Sequence, residues 1–256
     1  MTAARLHHEL AGAAGAPVLV LGNSLGTTAE VWDGQIEALC ERFQVLRYDH
    51  RGHGGSEVPP GPYTVAELGQ DLLALLDGLG IDRVSLCGLS LGGMVGIWLA
   101  AHAPQRVDRL ALVSTSALLG PPELWAERAA VARAGGTAAL TETMAARWIP
   151  PAFRRSEPQT VADFLATLAA TPGEGYAGCC EAIGAMDLRP DLAAIAAPTL
   201  VVAALDDPAT PPPHADVIVA GIGRHARREL VVDASHLVVV EQPERITALL
   251  LEHLGG

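Results

Sequence analysis

The segment that decides the fold is Val84-Ser85-Leu86-Cys87-Gly88-Leu89-Ser90-Leu91-Gly92-Gly93. It begins as an apolar strand, ends in the pattern Gly-x-Ser-x-Gly and leads directly into a helical pattern, which is the context of a nucleophile elbow. Such a turn is so sharp that glycines are needed at 88 and 92, and it exposes Ser90 above the strand ends with a helix N-terminus beneath it. We therefore predict that Ser90 is a catalytic nucleophile; the alternative is an ordinary glycine-rich turn.

Short β-branched runs alternate with helical patterns on both sides of this segment, as in a parallel sheet. The runs are continuously apolar, which indicates that both faces of the sheet are covered. The sequence thus predicts an α/β fold, with a mostly parallel twisted sheet and helices on both faces. The predicted strands are 18–21, 44–48, 84–87, 110–113, 199–203 and 229–232, and the predicted helices between them are 30–41, 65–79, 92–103 and 243–254.

The alternation stops at residue 114 and resumes at about 198. The stretch 114–197 has no convincing strand and is interrupted by proline pairs and by Thr171-Pro172-Gly173. We expect it to be a helical insertion between two strands, and residues 1–113 and 198–256 to form the core. Helical patterns in the insertion cover 123–134, 138–147, 158–169 and 175–185.

A catalytic serine needs a base, and the base needs a carboxylate to orient it. Both follow Ser90 in the order acid, then histidine. Asp206-Asp207 comes after the predicted strand 199–203, and His236 comes after the strand 229–232. Because adjacent side chains on an extended loop point in opposite directions, only one aspartate can face His236. We choose Asp207 and assign Asp206 to a capping or turn role.

The oxyanion of an acyl-transfer reaction needs two hydrogen-bond donors, here backbone N–H groups. One is that of Leu91, directly after the nucleophile. The other belongs to the loop after the first apolar strand, residues 21–26, in which we choose Leu25. The alternative reading of that loop, a dinucleotide site, is disfavoured because the G-x-G-x-x-G spacing is missing.

Length and composition limit the partners of this chain. Its 256 residues are 50% apolar, enough for one sizeable core. The net charge is −12, and all 17 basic residues are arginine. This field repels nucleic acid and small anions alike, so a carboxylate substrate would need an individual arginine to hold it.

The sequence has no pattern typical of a secreted, membrane-bound or disulfide-bonded protein. No apolar run approaches the length of a membrane helix, and the first ten residues contain His7, His8 and Glu9 rather than a signal peptide. We expect a cytoplasmic protein without a membrane partner. The four cysteines suggest reduced thiols rather than a disulfide framework or a metal site, and they are Cys40, Cys87, Cys179 and Cys180.

The elbow at Ser90, the acid at Asp207, the base at His236 and the turn at 48–56 together resemble the α/β-hydrolase superfamily over essentially the whole chain. The resemblance implies that the insertion is a lid over the active site that selects substrates. It also implies a scaffold role for the polar side chains of the turn, which are Asp49, Arg51 and His53.

A narrower resemblance is to the 3-oxoadipate enol-lactonases of the β-ketoadipate pathway of aromatic breakdown. The segments that carry it are 22–26, 58–64, 147–150, 171–176 and 186–189. Asn23-Ser24 replaces the His-Gly of many superfamily members, as is usual in these lactonases. Two departures are His50, where threonine is expected, and Ile149-Pro150, where Phe-Thr is expected.

This resemblance implies hydrolysis of a five-membered enol-lactone with an acetate side chain, through an acyl-enzyme and without a metal or organic cofactor. For the substrate carboxylate we favour Arg147, with Trp148 as an apolar wall and Arg189 in reserve. Equally, Arg147 can be a solvated residue at a helix end and Trp148 part of the lid core. Rival functions are a carboxylesterase or C–C bond hydrolase of the same fold, and a binding protein without catalysis.

Overall fold

A computed structural model describes residues 3–255, in which seven strands form a single sheet. The strands are β1 (His8–Ala11), β2 (Val18–Gly22), β3 (Gln44–Tyr48), β4 (Val84–Leu89), β5 (Val107–Val113), β6 (Thr199–Ala204) and β7 (Ala226–Val231). Their order across the sheet is β1-β3-β2-β4-β5-β6-β7. β1 is antiparallel to β3, and every other neighbouring pair is parallel.

Eleven α-helices accompany these strands in residues 3–255. They are α1 (Asp33–Cys40), α2 (Val65–Gly78), α3 (Leu91–His102), α4 (Pro122–Gly135), α5 (Thr141–Trp148), α6 (Pro151–Ser156), α7 (Pro158–Ala170), α8 (Gly173–Ala185), α9 (Pro212–Ile222), α10 (Val238–Glu241) and α11 (Pro243–Leu254). α1 packs against α11, and α2 packs against α3. The predicted mostly parallel sheet with helices on both faces is confirmed.

The strand predictions fail at both sheet edges and at the start of β5, which begins at Val107 rather than at 110. Edge strand β1 has no apolar run, and its side chains are partly or fully exposed, so no hydrophobic pattern in the sequence predicted it. β7 begins at Ala226 rather than 229, because Arg227 and Arg228 pair with β6 although they carry charge. In contrast, all six residues of β4 in the middle of the sheet are buried, and there the apolar run was a reliable signal.

Between β5 and β6 the chain forms the five helices α4 to α8, and residues 114–198 contain no strand. α4 and α8 pack closely together. Other parts of this helical insertion lie against the core: the loop after β2 approaches Leu168 and Tyr176 at Gly26, and the turn after β3 touches Gly175 at Gly52. The insertion therefore lies over the loops at the carboxyl ends of β2 and β3.

The turn after β3 is held by buried polar contacts. Arg51 donates two hydrogen bonds to the Asp71 carboxylate, at 2.5 and 2.7 Å. Asp49 accepts hydrogen bonds from the N–H groups of Ala29 and Gly55. These bonds anchor the turn to the β2–α1 loop and to α2, which keeps the carboxyl end of the sheet in a fixed shape.

Candidate active site

Ser90 lies at the turn between the end of β4 and the start of α3. Its backbone has φ 53° and ψ −111°, a conformation that a residue other than glycine rarely adopts. A Cβ at Gly88 would lie 2.2 Å from the carbonyl oxygen of Gly92, and one at Gly92 would lie 2.4 Å from the backbone of Gly22. The two glycines of the motif are therefore required by close backbone contacts, as the pattern predicted.

The structure brings Ser90, His236 and Asp207 together. Nε2 of His236 lies 3.1 Å from Oγ of Ser90, and Nδ1 lies 2.8 Å from Oδ2 of Asp207. All three side chains are buried. With Nδ1 protonated, His236 donates to Asp207 and accepts from the Ser90 hydroxyl, which is the arrangement of a general base beside a nucleophile.

Of the two neighbouring aspartates, Asp207 faces His236, whereas Asp206 is exposed. Asp207 also accepts hydrogen bonds from the N–H groups of Ala209 and Thr210 and from the Thr210 hydroxyl. Burial alone would raise the pKa of Asp207, but His236 and the Thr210 bonds outweigh it and lower the pKa to about 2. Asp207 is thus ionised at neutral pH and can orient the imidazole.

The candidate oxyanion donors lie on either side of Ser90. Neither the N–H of Leu25 nor that of Leu91 donates to another group within residues 3–255. Their loops are tied together, because the N–H of Gly92 donates to the carbonyl oxygen of Asn23 at 2.9 Å. On the other side of Leu25, the N–H of Gly26 donates to Nε2 of the buried His53 at 2.9 Å. Both donors are therefore held in place by their neighbours.

His50, the departure from the expected threonine, lies next to this loop. Its Nε2 is 3.0 Å from the carbonyl oxygen of Asn23, and the Asn23 side chain donates to the Tyr48 carbonyl at 2.6 Å. Burial, with a further contribution from His53, lowers the pKa of His50 to about 3. His50 is thus neutral at physiological pH, and its hydrogen bond to Asn23 supports the candidate oxyanion loop.

A narrow cavity opens in front of Ser90 and His236, and the insertion provides much of its wall. Arg147 and Trp148, at the end of α5, both line it. The Trp148 ring stacks over the His236 ring, with centroids 6.3 Å apart, and packs edge-on against Phe164. Trp148 thus serves both the cavity wall and the packing of the insertion, the two interpretations that the sequence left open.

Arg128 on α4 lines the same cavity, and the sequence reasoning missed it. Its guanidinium lies over the Trp125 ring, 4.5 Å from the centroid. Within residues 3–255, no carboxylate lies within 4.0 Å of Arg128 or Arg147. Burial and the charge of Arg128 lower the pKa of Arg147. The signal that could have found Arg128 is the spacing of Trp125 and Arg128, which places both on one helix face.

Arg189, the reserve residue for the substrate carboxylate, does not line this cavity. It forms an exposed ion pair with Asp187 and lines a separate depression together with His214. Its guanidinium is neutralised locally and is not available to a ligand beside Ser90.

The remaining reactive side chains do not form a second centre. Residues 3–255 contain no group of three or more His, Cys, Asp or Glu side chains that could hold a metal ion. All four cysteines are free. Burial raises the pKa of Cys180 to about 12 and that of Cys179 well above its usual value. Both thiols on α8 are therefore protonated core residues.

No helix in the described part of the chain combines the length and the apolar character needed to cross a bilayer.

Comparisons with known proteins agree on one fold. The family model for the alpha/beta hydrolase fold matches residues 17–243. The 3-oxoadipate enol-lactonase 2 of Acinetobacter baylyi is 40% identical over 239 residues, which are 93% of this chain and 89% of that protein. Two crystal structures are also similar. The enol-lactonase from Burkholderia xenovorans LB400 has a TM-score of 0.96 and 40% identity, covering 99% of this chain and 97% of that one. A hydrolase from Pseudomonas aeruginosa PA01 has a TM-score of 0.95 and 46% identity, covering 99% and 95%.

Proposed function

This chain is a hydrolase that belongs to the α/β-hydrolase family, and from that premise we propose that it hydrolyses 3-oxoadipate enol-lactone to 3-oxoadipate. The observation that carries the proposal is the pair Arg128 and Arg147, two cations in the cavity of Ser90 that have no carboxylate within 4.0 Å among the described residues. Such a cavity favours an anionic ester over a neutral one. The similarity to enol-lactonases supports a lactone as that ester.

The first step is attack on the ring carbonyl. Ser90 Oγ adds to the carbonyl carbon and transfers its proton to Nε2 of His236, while Asp207 stabilises the imidazolium that forms. The negative charge moves to the carbonyl oxygen, which accepts hydrogen bonds from the N–H groups of Leu25 and Leu91.

The second step opens the ring. The bond between the carbonyl carbon and the ring oxygen breaks, and the electron pair leaves with the enol oxygen as an enolate. His236 gives the proton that it took from Ser90 to the enolate, which becomes the stable ketone, so the ring does not close again and His236 is neutral once more. Water then gives a proton to His236 and attacks the acyl-enzyme, which releases 3-oxoadipate and restores the Ser90 hydroxyl.

The substrate carboxylate takes no part in bond breaking and serves to position the ring. We assign it to Arg147 together with Arg128, where it relieves the repulsion between the two guanidinium groups. Trp148 provides the flat apolar wall against which the ring lies. The helical insertion acts in this proposal as the lid that selects the substrate, and the reaction belongs to aromatic catabolism by the β-ketoadipate route.

Substrate comparison tests the proposal. We expect kcat/KM for 3-oxoadipate enol-lactone to exceed that for neutral p-nitrophenyl acetate by at least about 100-fold, because two charge-assisted contacts act only on the anion. The measurement is the rate of lactone hydrolysis, monitored as the loss of the ultraviolet absorbance of the lactone. Equal or better turnover of the neutral ester would instead identify a carboxylesterase, and turnover restricted to a β-diketone would identify a C–C bond hydrolase.

A further inference from the structure

Glu241 is a largely buried carboxylate behind the loop that carries His236, and the reaction described above gives it no task. It is the last residue of α10, and its N–H donates to the carbonyl oxygen of Leu237 at 3.0 Å. Its side chain turns back along the chain, and Oε2 accepts a hydrogen bond from the N–H of Ser235 at 2.9 Å. The residues on both sides of His236 are therefore bonded to Glu241.

The second carboxylate oxygen of Glu241, Oε1, is buried and forms no hydrogen bond with the described part of the chain. No Arg or His nitrogen lies within 4.0 Å of the carboxylate in residues 3–255. Glu241 lines a crevice between α10 and the insertion, and the insertion side of that crevice has no ionisable side chain; its residues are Ile149, Phe153, Thr160, Val161 and Phe164.

A buried carboxylate without a cation destabilises its own charged form. Burial raises the pKa of Glu241 to about 7, and the charge of Asp207 adds to this, while the backbone groups of Ser235 and Leu237 and the charge of His236 oppose it. Asp207 and His236 are the titratable groups that act on Glu241, and both belong to the Ser90 site. Because such coupling is reciprocal, ionised Glu241 favours the positively charged form of His236.

We propose that Glu241 is a positioning residue for His236: its carboxylate holds the Ser235 N–H and supplies negative charge that supports the imidazolium during attack by Ser90. When Glu241 is ionised, the loop is anchored and the imidazolium is stabilised. When Glu241 is protonated, one carboxyl oxygen still accepts from Ser235, but the charge is lost and the Ser90 hydroxyl reacts more slowly. This inference depends on the Ser90–His236 pair of the proposed function but not on the identity of the substrate.

A fluorophosphonate reagent can measure this effect, because its labelling rate depends on the reactivity of Ser90 and not on which substrate the enzyme prefers. The second-order labelling rate is measured from pH 5.5 to 8.5 for wild type and for Glu241→Gln, which keeps the shape and the hydrogen-bond acceptor but cannot ionise. We expect wild type to react about fivefold faster at pH 8.5 and the ratio to fall towards one at pH 5.5. Glu244→Gln, an exposed glutamate on the neighbouring α11, is the matched control and should equal wild type throughout.

Glu241→Asp provides the second variant, in case the glutamine protein does not fold. It keeps the charge with a shorter reach, so its rate at pH 8.5 should exceed that of Glu241→Gln, and its acid-side midpoint should differ from that of wild type. A purely structural hydrogen bond would instead favour the isosteric glutamine. A wild-type to Glu241→Gln ratio that stays constant with pH, or an Asp variant with the wild-type midpoint, overturns the role of Glu241 alone. Failure of the reagent to label wild type overturns the Ser90–His236 pair as well.

Discussion

The parallel core and the helical insertion contribute different groups to the same cavity. The core provides Ser90 and His236 on loops at the carboxyl ends of its strands, each fixed by buried backbone contacts. The insertion provides Arg128 from α4, which packs mainly on α8, and Arg147 and Trp148 from α5, which packs on α7. Bond-making groups and substrate-selecting groups therefore lie on separate elements, and mutations should separate the two functions.

The largest expected effect comes from removing the nucleophile in the core. Ser90→Ala should lower kcat/KM by about 10⁴-fold or more on every substrate, charged or neutral, because the covalent route is lost. The fold should remain, since His236 is the one hydrogen-bond partner of Ser90 Oγ in residues 3–255. Assays with the lactone and a neutral ester, together with thermal melting by circular dichroism, check both points. A variant that loses only the lactone activity would contradict the division between core and insertion.

The next effect concerns the orientation of the base. Asp207→Asn should lower kcat by about 10³-fold on both substrates, because an amide can donate to Nδ1 and so favour the wrong tautomer of His236. Asp206→Asn is the matched control, since Asp206 is exposed on the same loop and should keep near-normal activity. Comparable losses in the two variants would mean that the loop, rather than the Asp207 carboxylate, is what matters.

The insertion variants should act on one substrate only. Arg147→Ala should raise KM for the anionic lactone about 10- to 100-fold, the range expected for a lost charge-assisted hydrogen bond, and leave a neutral aryl ester nearly unchanged. Arg128→Ala should behave in the same way. The control is Arg155→Ala, which removes an exposed arginine of α6 away from the cavity. Equal losses on both esters would assign Arg147 to the scaffold.

The same contrast explains what the sequence could predict. Ser90, Asp207 and His236 follow strand ends in a fixed order, and parallel strands bring their carboxyl ends to one edge, so local patterns sufficed to bring these residues together. The glycines of the elbow were readable for the same reason, since their need is set by adjacent backbone.

The insertion was less predictable, because the direction of its side chains depends on how helices pack. Arg147 and Arg189 look alike in the sequence, yet Arg147 lines the cavity and Arg189 pairs with its neighbour Asp187. Arg128 was missed because no recognised segment contains it, and its place at the cavity depends on the packing of α4 on α8. The role of Glu241 could not be predicted from the sequence either, because the burial of a carboxylate oxygen without a partner depends on the tertiary structure.

The smallest expected effect concerns the loss of stability at acid pH. Histidines of the core should cause this loss, because residues 114–198 contain no histidine. In the folded protein, burial lowers the pKa of His50 to about 3, so its side chain stays neutral above that pH. In the unfolded chain His50 has its usual pKa of 6.5 and binds a proton once the pH falls below that value. The unfolded state therefore gains protons first, and the free energy of unfolding falls as pH drops from 6.5 towards 3, by up to about 1.4 kcal/mol per pH unit from this group. His50→Thr removes that proton, so urea unfolding at pH 7.0, 5.5 and 4.5 should show a shallower decline than in wild type. The exposed His102, replaced by threonine as a control, should leave the slope unchanged; an unchanged slope in His50→Thr would mean that His50 is protonated in the folded protein and that the acid sensitivity arises from other groups.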